Sequence, residues 1–140
     1  MEANWYNFSI IISLVTGTYL YLGNREAIAS ASSEAIFLAV IIALPLALFN
    51  SFNETIITRW TIVEGFSKNP KVAAIIGALI FGIPHYFGVP GGLPGSIMAG
   101  FLGWFLVRSI FDTKGIGWAI IIHFLQDVLI FSVLLLGVLP

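Results

Sequence analysis

Long apolar runs dominate this chain, and short clusters of charged residues separate them. The runs cover residues 4–22, 35–53, 72–107 and 115–140. Each is close to or beyond the about 20 helical residues that cross the roughly 30 Å hydrocarbon core of a bilayer. The pattern therefore predicts membrane-spanning segments, and the third run has room for two of them.

The segment GVPGGLPG, residues 88–95, divides the third run, because its glycines and prolines disfavour a helix. This division gives five predicted spans, all helical, since a spanning segment must satisfy its own backbone hydrogen bonds. We expect the second helix to continue past Arg59 to about Phe66, and Pro45 and Pro84 to kink their helices. The prediction is an all-α, polytopic membrane helical bundle of about five transmembrane helices, forming a single domain over residues 1–140.

The composition supports a membrane protein and excludes several classes of function. Only 9% of the residues are charged and 59% are hydrophobic, whereas soluble domains are about 25% charged. The net charge of -1 and the absence of basic runs argue against binding of nucleic acid. With no cysteine, the chain has neither a disulfide nor a thiol nucleophile.

Lysine and arginine residues are unevenly distributed between the predicted loops. Only Arg25 falls on one side of the membrane, and the other side receives Arg59, Lys68, Lys71, Arg108 and Lys114. The positive-inside rule then places the N-terminus in the cytoplasm. The first run could instead be a cleaved signal peptide. The residues before this run include Glu2 and no lysine or arginine, which disfavours that alternative.

Four ionisable side chains lie within or beside the predicted spans: Glu54, His85, His123 and Asp127. Such residues are costly in hydrocarbon and indicate function. At 1.5 Å per helical residue, the first three lie about 18, 21 and 12 Å from the cytoplasmic ends of their helices. These similar depths favour a shared site. Alternatively, each histidine only packs between helices, and Arg59 is a boundary residue that snorkels to the interface.

Three short motifs contain these residues: ETIITR at 54–59, FGIPH at 81–85 and HFLQD at 123–127. In this order they resemble the motifs of the CAAX-prenyl-protease and bacteriocin-processing family of intramembrane proteases. That family has a Glu-Glu-x-x-x-Arg helix, a Phe-x-x-x-His helix and a His-x-x-x-Asn/Asp helix. Thr55 replaces the usual second glutamate, and Trp60 replaces the glycine that usually follows the arginine. The motif core covers residues 54–127.

The resemblance implies a glutamate-dependent intramembrane endopeptidase that acts on a membrane-associated peptide or protein within the lipid bilayer. Its catalytic residues would be Glu54, His85, His123 and Asp127. The first two would activate water, while His123, one helical turn before Asp127, would stabilise the oxyanion. Supporting roles would fall to Arg59, Phe81 and Thr55.

Other chemistries remain as alternatives. We expect no cofactor and no metal, because the chain lacks an HExxH motif, although two histidines and one carboxylate could also bind zinc. From a different class, the chain could be an inactive relative that serves as a membrane binding or immunity partner. It could also be a small proton-coupled transporter that uses Glu54, His85 and His123 as a relay. Thr55 favours these two alternatives, and the retained ionisable residues oppose them.

Overall fold

The computed structural model describes residues 4–139, which form helices joined by short loops, with no strand within that range. We number the helices α1 (Trp5–Ser30), α2 (Ser33–Gly65), α3 (Pro70–Gly82), α4 (Gly92–Thr113) and α5 (Gly117–Leu136). The all-α class and the five predicted helical segments are thereby confirmed. The second helix also continues past Arg59, as predicted, and ends at Gly65.

Local sequence signals set several helix ends. The Asn4 side chain accepts a hydrogen bond from the Asn7 N–H at the start of α1, as an N-cap residue does. Asn69 caps α3 in the same way, and Pro70 follows at the first helical position, where its missing N–H costs nothing. The α4 helix ends at Thr113 and is followed by Lys114 in the left-handed conformation, with φ of 55°.

The first apolar run ends at residue 22, and α1 is kinked close by, at Asn24, which has a non-helical φ of -128° and ψ of 20°, before it continues to Ser30. One predicted boundary was wrong. The α4 helix begins at Gly92, inside the segment predicted as a break. Pro94 is tolerated there because the N–H groups of a first helical turn have no intrahelical partner.

Among residues 4–139, three helices are long and apolar enough to cross a membrane: α2, α4 and α5. Residues Pro70–Tyr86 form a shorter apolar helical segment. The α1 helix buries Trp5 and Leu20 together with the hydroxyl residues Ser9 and Thr16. It exposes large apolar side chains, which include Ile11, Leu14 and Leu22, and such an apolar outer surface suits a hydrocarbon environment.

The chain divides into two compact units. The first unit contains residues 52–122, and the second contains residues 4–51 and 123–139 of the described range. The first unit thus holds the end of α2 with α3, α4 and the start of α5. The second unit holds α1, most of α2 and most of α5.

Small residues bring α3 and α4 into close contact in the first unit. A Cβ atom at Gly103 would lie 2.6 Å from the Gly77 carbonyl oxygen, and one at Gly82 would lie 2.9 Å from the Gly100 Cα. Ser96 adds a hydrogen bond from its hydroxyl to the Gly82 carbonyl, at 2.7 Å. Close approach at small residues is how helices commonly pack in membranes.

Polar groups join α1 and α5 in the second unit. The amide nitrogen of Gln126 donates a hydrogen bond to the Ser13 hydroxyl at 3.0 Å. Gly17 lies nearby, where an added Cβ would be 3.9 Å from Leu129 Cδ1. The α5 helix therefore presents polar side chains, as well as apolar ones, to the interior of this unit.

Candidate active site

The α2 helix changes its hydrogen-bonding pattern at the first motif. Residues Thr55–Trp60 form a π-helical segment between α-helical residues on either side. A π-helix bonds each residue to the one five positions away, and such segments are frequent at functional sites. Arg59 accordingly reaches back five positions, and its Nη1 lies 3.2 Å from Glu54 Oε2. The π-helical segment therefore sets up the ion pair within the motif.

Arg59 is an interior cation rather than a boundary residue that snorkels to the interface. Its side chain is only 1% exposed. The same Nη1 donates to Thr58 Oγ1 at 3.2 Å, and the guanidinium carbon lies 3.9 Å from the centre of the Phe81 ring. Buried charge requires partners of this kind, and the aromatic face contributes a cation–π interaction. Arg59 thus links the first motif to the second.

His85 lies in a short 3₁₀ segment, Pro84–Tyr86, directly after α3. Its Nδ1 atom is 2.7 Å from the Phe81 carbonyl oxygen. Because a carbonyl oxygen only accepts hydrogen bonds, we assign the proton to Nδ1, which makes Nε2 of the neutral ring an acceptor. The Phe81 and His85 rings also contact each other, with centroids 4.4 Å apart.

These contacts connect the first two motifs within the first unit. They run from Glu54 to Arg59, from Arg59 to Phe81 and from Phe81 to His85. The Glu54 side chain is 37% exposed, so the carboxylate contacts Arg59 and is also partly accessible from outside the protein. This cluster, the Glu54–His85 cluster, combines a carboxylate and an imidazole acceptor.

Thr55, at the position of the usual second glutamate, has a different environment. It is fully buried, and its hydroxyl has no hydrogen-bond partner among the described residues. A hydroxyl of this kind supplies neither the charge nor the proton affinity of a carboxylate. Thr55 is therefore a buried, uncharged side chain next to Glu54 in the sequence, where the family's motif usually has a second carboxylate.

The third motif lies in the second unit. His123 and Asp127 are both buried, and His123 Nε2 lies 3.5 Å from Asp127 Oδ1 across one turn of α5. The other oxygen of the carboxylate, Oδ2, accepts a hydrogen bond from Asn50 Nδ2 on α2 at 3.1 Å. The motif thus forms a triad of imidazole, carboxylate and amide.

Asn50 was not among the residues predicted for the site. The sequence contained a signal for Asn50, because this residue is an amide within an apolar run and lies four residues before Glu54. Asparagine is also common at structural positions, and only the structure shows its bond to Asp127. As for a metal, no group of three or more His, Asp or Glu side chains within residues 4–139 is arranged to hold one.

Comparison with known proteins gives one match. The family model described as Type II CAAX prenyl endopeptidase Rce1-like matches residues 34–129, a stretch that contains all three motifs. No curated protein and no solved structure matches the chain. The family match covers well over half of the 140 residues and confirms the resemblance that the motifs indicated.

Proposed function

We propose that this chain, which belongs to the Rce1-like family of type II CAAX prenyl endopeptidases, is a glutamate-dependent intramembrane endopeptidase. It would hydrolyse a peptide bond of a membrane-associated substrate. The family is a protease family, and the apolar helices are those of an integral membrane protein. The observation that carries the proposal is the Glu54–His85 cluster, in which a glutamate and a histidine acceptor are connected through Arg59 and Phe81.

In the proposed reaction, Glu54 acts as the general base. Its carboxylate takes a proton from water while the water oxygen attacks the carbonyl carbon of the peptide bond. His85 orients the same water, because its Nε2 is the acceptor when Nδ1 donates to the Phe81 carbonyl. Arg59 holds the Glu54 carboxylate in place through Oε2. The captured proton then goes to the leaving amine.

The third motif would stabilise the oxyanion. A protonated His123 can donate from both ring nitrogens, so one nitrogen could donate to Asp127 and the other would remain a donor for the developing negative charge. The Nε2 atom and Asp127 Oδ1 are 3.5 Å apart, so the carboxylate is an acceptor close to one of the two donors of a protonated ring. A donor that is already oriented for the transition state typically contributes about 10²- to 10³-fold to the rate.

The proposal is tested with purified protein in lipid vesicles and a library of peptides that contain membrane-embedded segments. The library includes prenylated and unprenylated C-terminal peptides, because the family description names a prenylated substrate class. We expect the wild type to cleave a subset of the peptides and Glu54→Gln to lose nearly all of this cleavage. Glu64→Gln, a change of an exposed carboxylate near the end of the same helix, is the matched control and should cleave like the wild type.

Three results would contradict the proposal. Cleavage by Glu54→Gln at the wild-type rate would exclude Glu54 as the base. A wild type that cleaves no peptide would favour the inactive binding partner, the alternative to which the buried Thr55 points. Proton-dependent substrate uptake into the same vesicles, lost in Glu54→Gln, would identify a transporter instead.

A further inference from the structure

The triad in the second unit gives each oxygen of Asp127 its own partner. Oδ1 faces His123 Nε2 at 3.5 Å, and Oδ2 accepts from Asn50 Nδ2 at 3.1 Å. The two partners lie on different helices, α5 and α2. Only 6% of Asp127 is exposed, so its orientation is set by protein groups and not by solvent.

An amide is suited to this position because it donates to a carboxylate without adding charge. A carboxylate can only accept hydrogen bonds, so the amide nitrogen must face Asp127. Hydrogen bonds to an ionised group are stronger than neutral ones. The bond to Oδ2 therefore fixes the carboxylate plane and turns Oδ1 towards His123.

We infer that Asn50 is a positioning residue, which holds the Asp127 carboxylate so that it orients the ring of His123. This inference rests on the proposed function, because it assigns Asn50 to the oxyanion-stabilising part of the reaction. It adds a residue outside all three motifs. If Asn50 has this role, only some pairs of side chains at positions 50 and 127 are compatible with activity.

Two side chains at positions 50 and 127 are compatible when one can donate a hydrogen bond that the other accepts. Asn50→Asp would place two carboxylates against each other, and neither ionised group can donate. Asp127→Asn would place two amides together, which can still bond because each has a donor and an acceptor. The double substitution would restore an amide and a carboxylate with their places exchanged. Asp127→Asn should therefore suppress the defect of Asn50→Asp.

The test measures kcat and KM for the two single variants and the double variant, with a peptide that the wild type cleaves. We expect Asn50→Asp to lower kcat by roughly tenfold or more, since it removes a hydrogen bond to a buried charged group, with KM little changed. Asp127→Asn should retain part of the activity, and the double variant should approach the activity of Asp127→Asn, well above that of Asn50→Asp. A residue that only packs would instead give losses that multiply in the double variant.

A matched control uses a second asparagine of the same unit. Asn24 donates to the Leu20 carbonyl within α1, so Asp127→Asn should not suppress any defect of Asn24→Asp. Thermal unfolding of each variant shows whether a loss of activity is a loss of folded protein. Wild-type kcat in Asn50→Asp, or the same suppression of Asn24→Asp, would overturn the role of Asn50. Absence of Glu54-dependent cleavage in the wild type would overturn the proposed function itself.

Discussion

The close contact between α3 and α4 predicts the effect of one added methyl group. In Gly103→Ala, the new Cβ would lie 2.6 Å from the Gly77 carbonyl oxygen and 2.8 Å from Phe81 Cβ. Ordinary van der Waals contact begins at 3.4 Å. Neither neighbour is the end of a flexible side chain, so the helices must separate by about 0.8 Å at this point to reach ordinary contact.

The expected cost follows from two opposing effects. Overpacking of a close contact typically costs about 1–3 kcal/mol. Alanine in place of glycine within a helix stabilises the helix by up to about 1 kcal/mol. We therefore expect Gly103→Ala to lower the free energy of unfolding by about 1–2 kcal/mol. Because Phe81 contacts both Arg59 and His85, its displacement should also reduce cleavage by the protein that remains folded.

The assay is reversible unfolding in mixed micelles, followed by circular dichroism, for a graded series of glycine variants. Gly65→Ala is the control, since its added Cβ would have no atom within 4 Å apart from its chain neighbours and the backbone of its own helical turn. Gly100→Ala, with the Ala78 carbonyl oxygen at 3.3 Å, should be intermediate. If Gly103→Ala were as stable as Gly65→Ala, the contact between α3 and α4 described above would be wrong.

Three further predictions address topology, metal and the buried threonine. Because the chain has no cysteine, a single introduced cysteine is the only thiol that can be labelled. Cysteines at Ser67 and Thr113 should react with a reagent on the cytoplasmic side, and one at Ser30 should react from the opposite side. The reverse labelling pattern would contradict the predicted orientation. Exhaustive chelation should leave the cleavage rate unchanged, whereas stoichiometric zinc in active protein, lost together with activity, would contradict a metal-free reaction. Thr55→Val should leave the free energy of unfolding unchanged or raise it by about 1 kcal/mol or more, because it removes a buried hydroxyl that has no partner among the described residues. A clear fall in the free energy of unfolding would indicate a bound water or ligand at this hydroxyl.

The features predicted correctly from the sequence depend on local signals. Apolar runs, glycine and proline clusters and the three motifs gave the all-α class, the five helical segments and the family. The extension of α2 beyond Arg59 followed because no helix breaker interrupts the chain before Gly65. The residues within each short motif could be identified without knowledge of the tertiary structure.

The features that were missed depend on contacts between distant residues. The π-helical segment changes only the hydrogen-bonding register, and residue composition does not reveal this register. The stacking of Arg59 on Phe81 and the bond from Asn50 to Asp127 join different helices. Helix packing decides these pairs, and one sequence does not contain that information in a local pattern.

The central claim is that Glu54 and His85 activate one water molecule, and a double-mutant cycle tests it most directly. The cycle compares kcat/KM for cleavage of one peptide by the wild type, Glu54→Gln, His85→Ala and the double variant. If the two residues form one catalytic unit, each single change should remove nearly all cleavage, and the double variant should be no worse than either. Independent losses that multiply in the double variant would contradict a shared water.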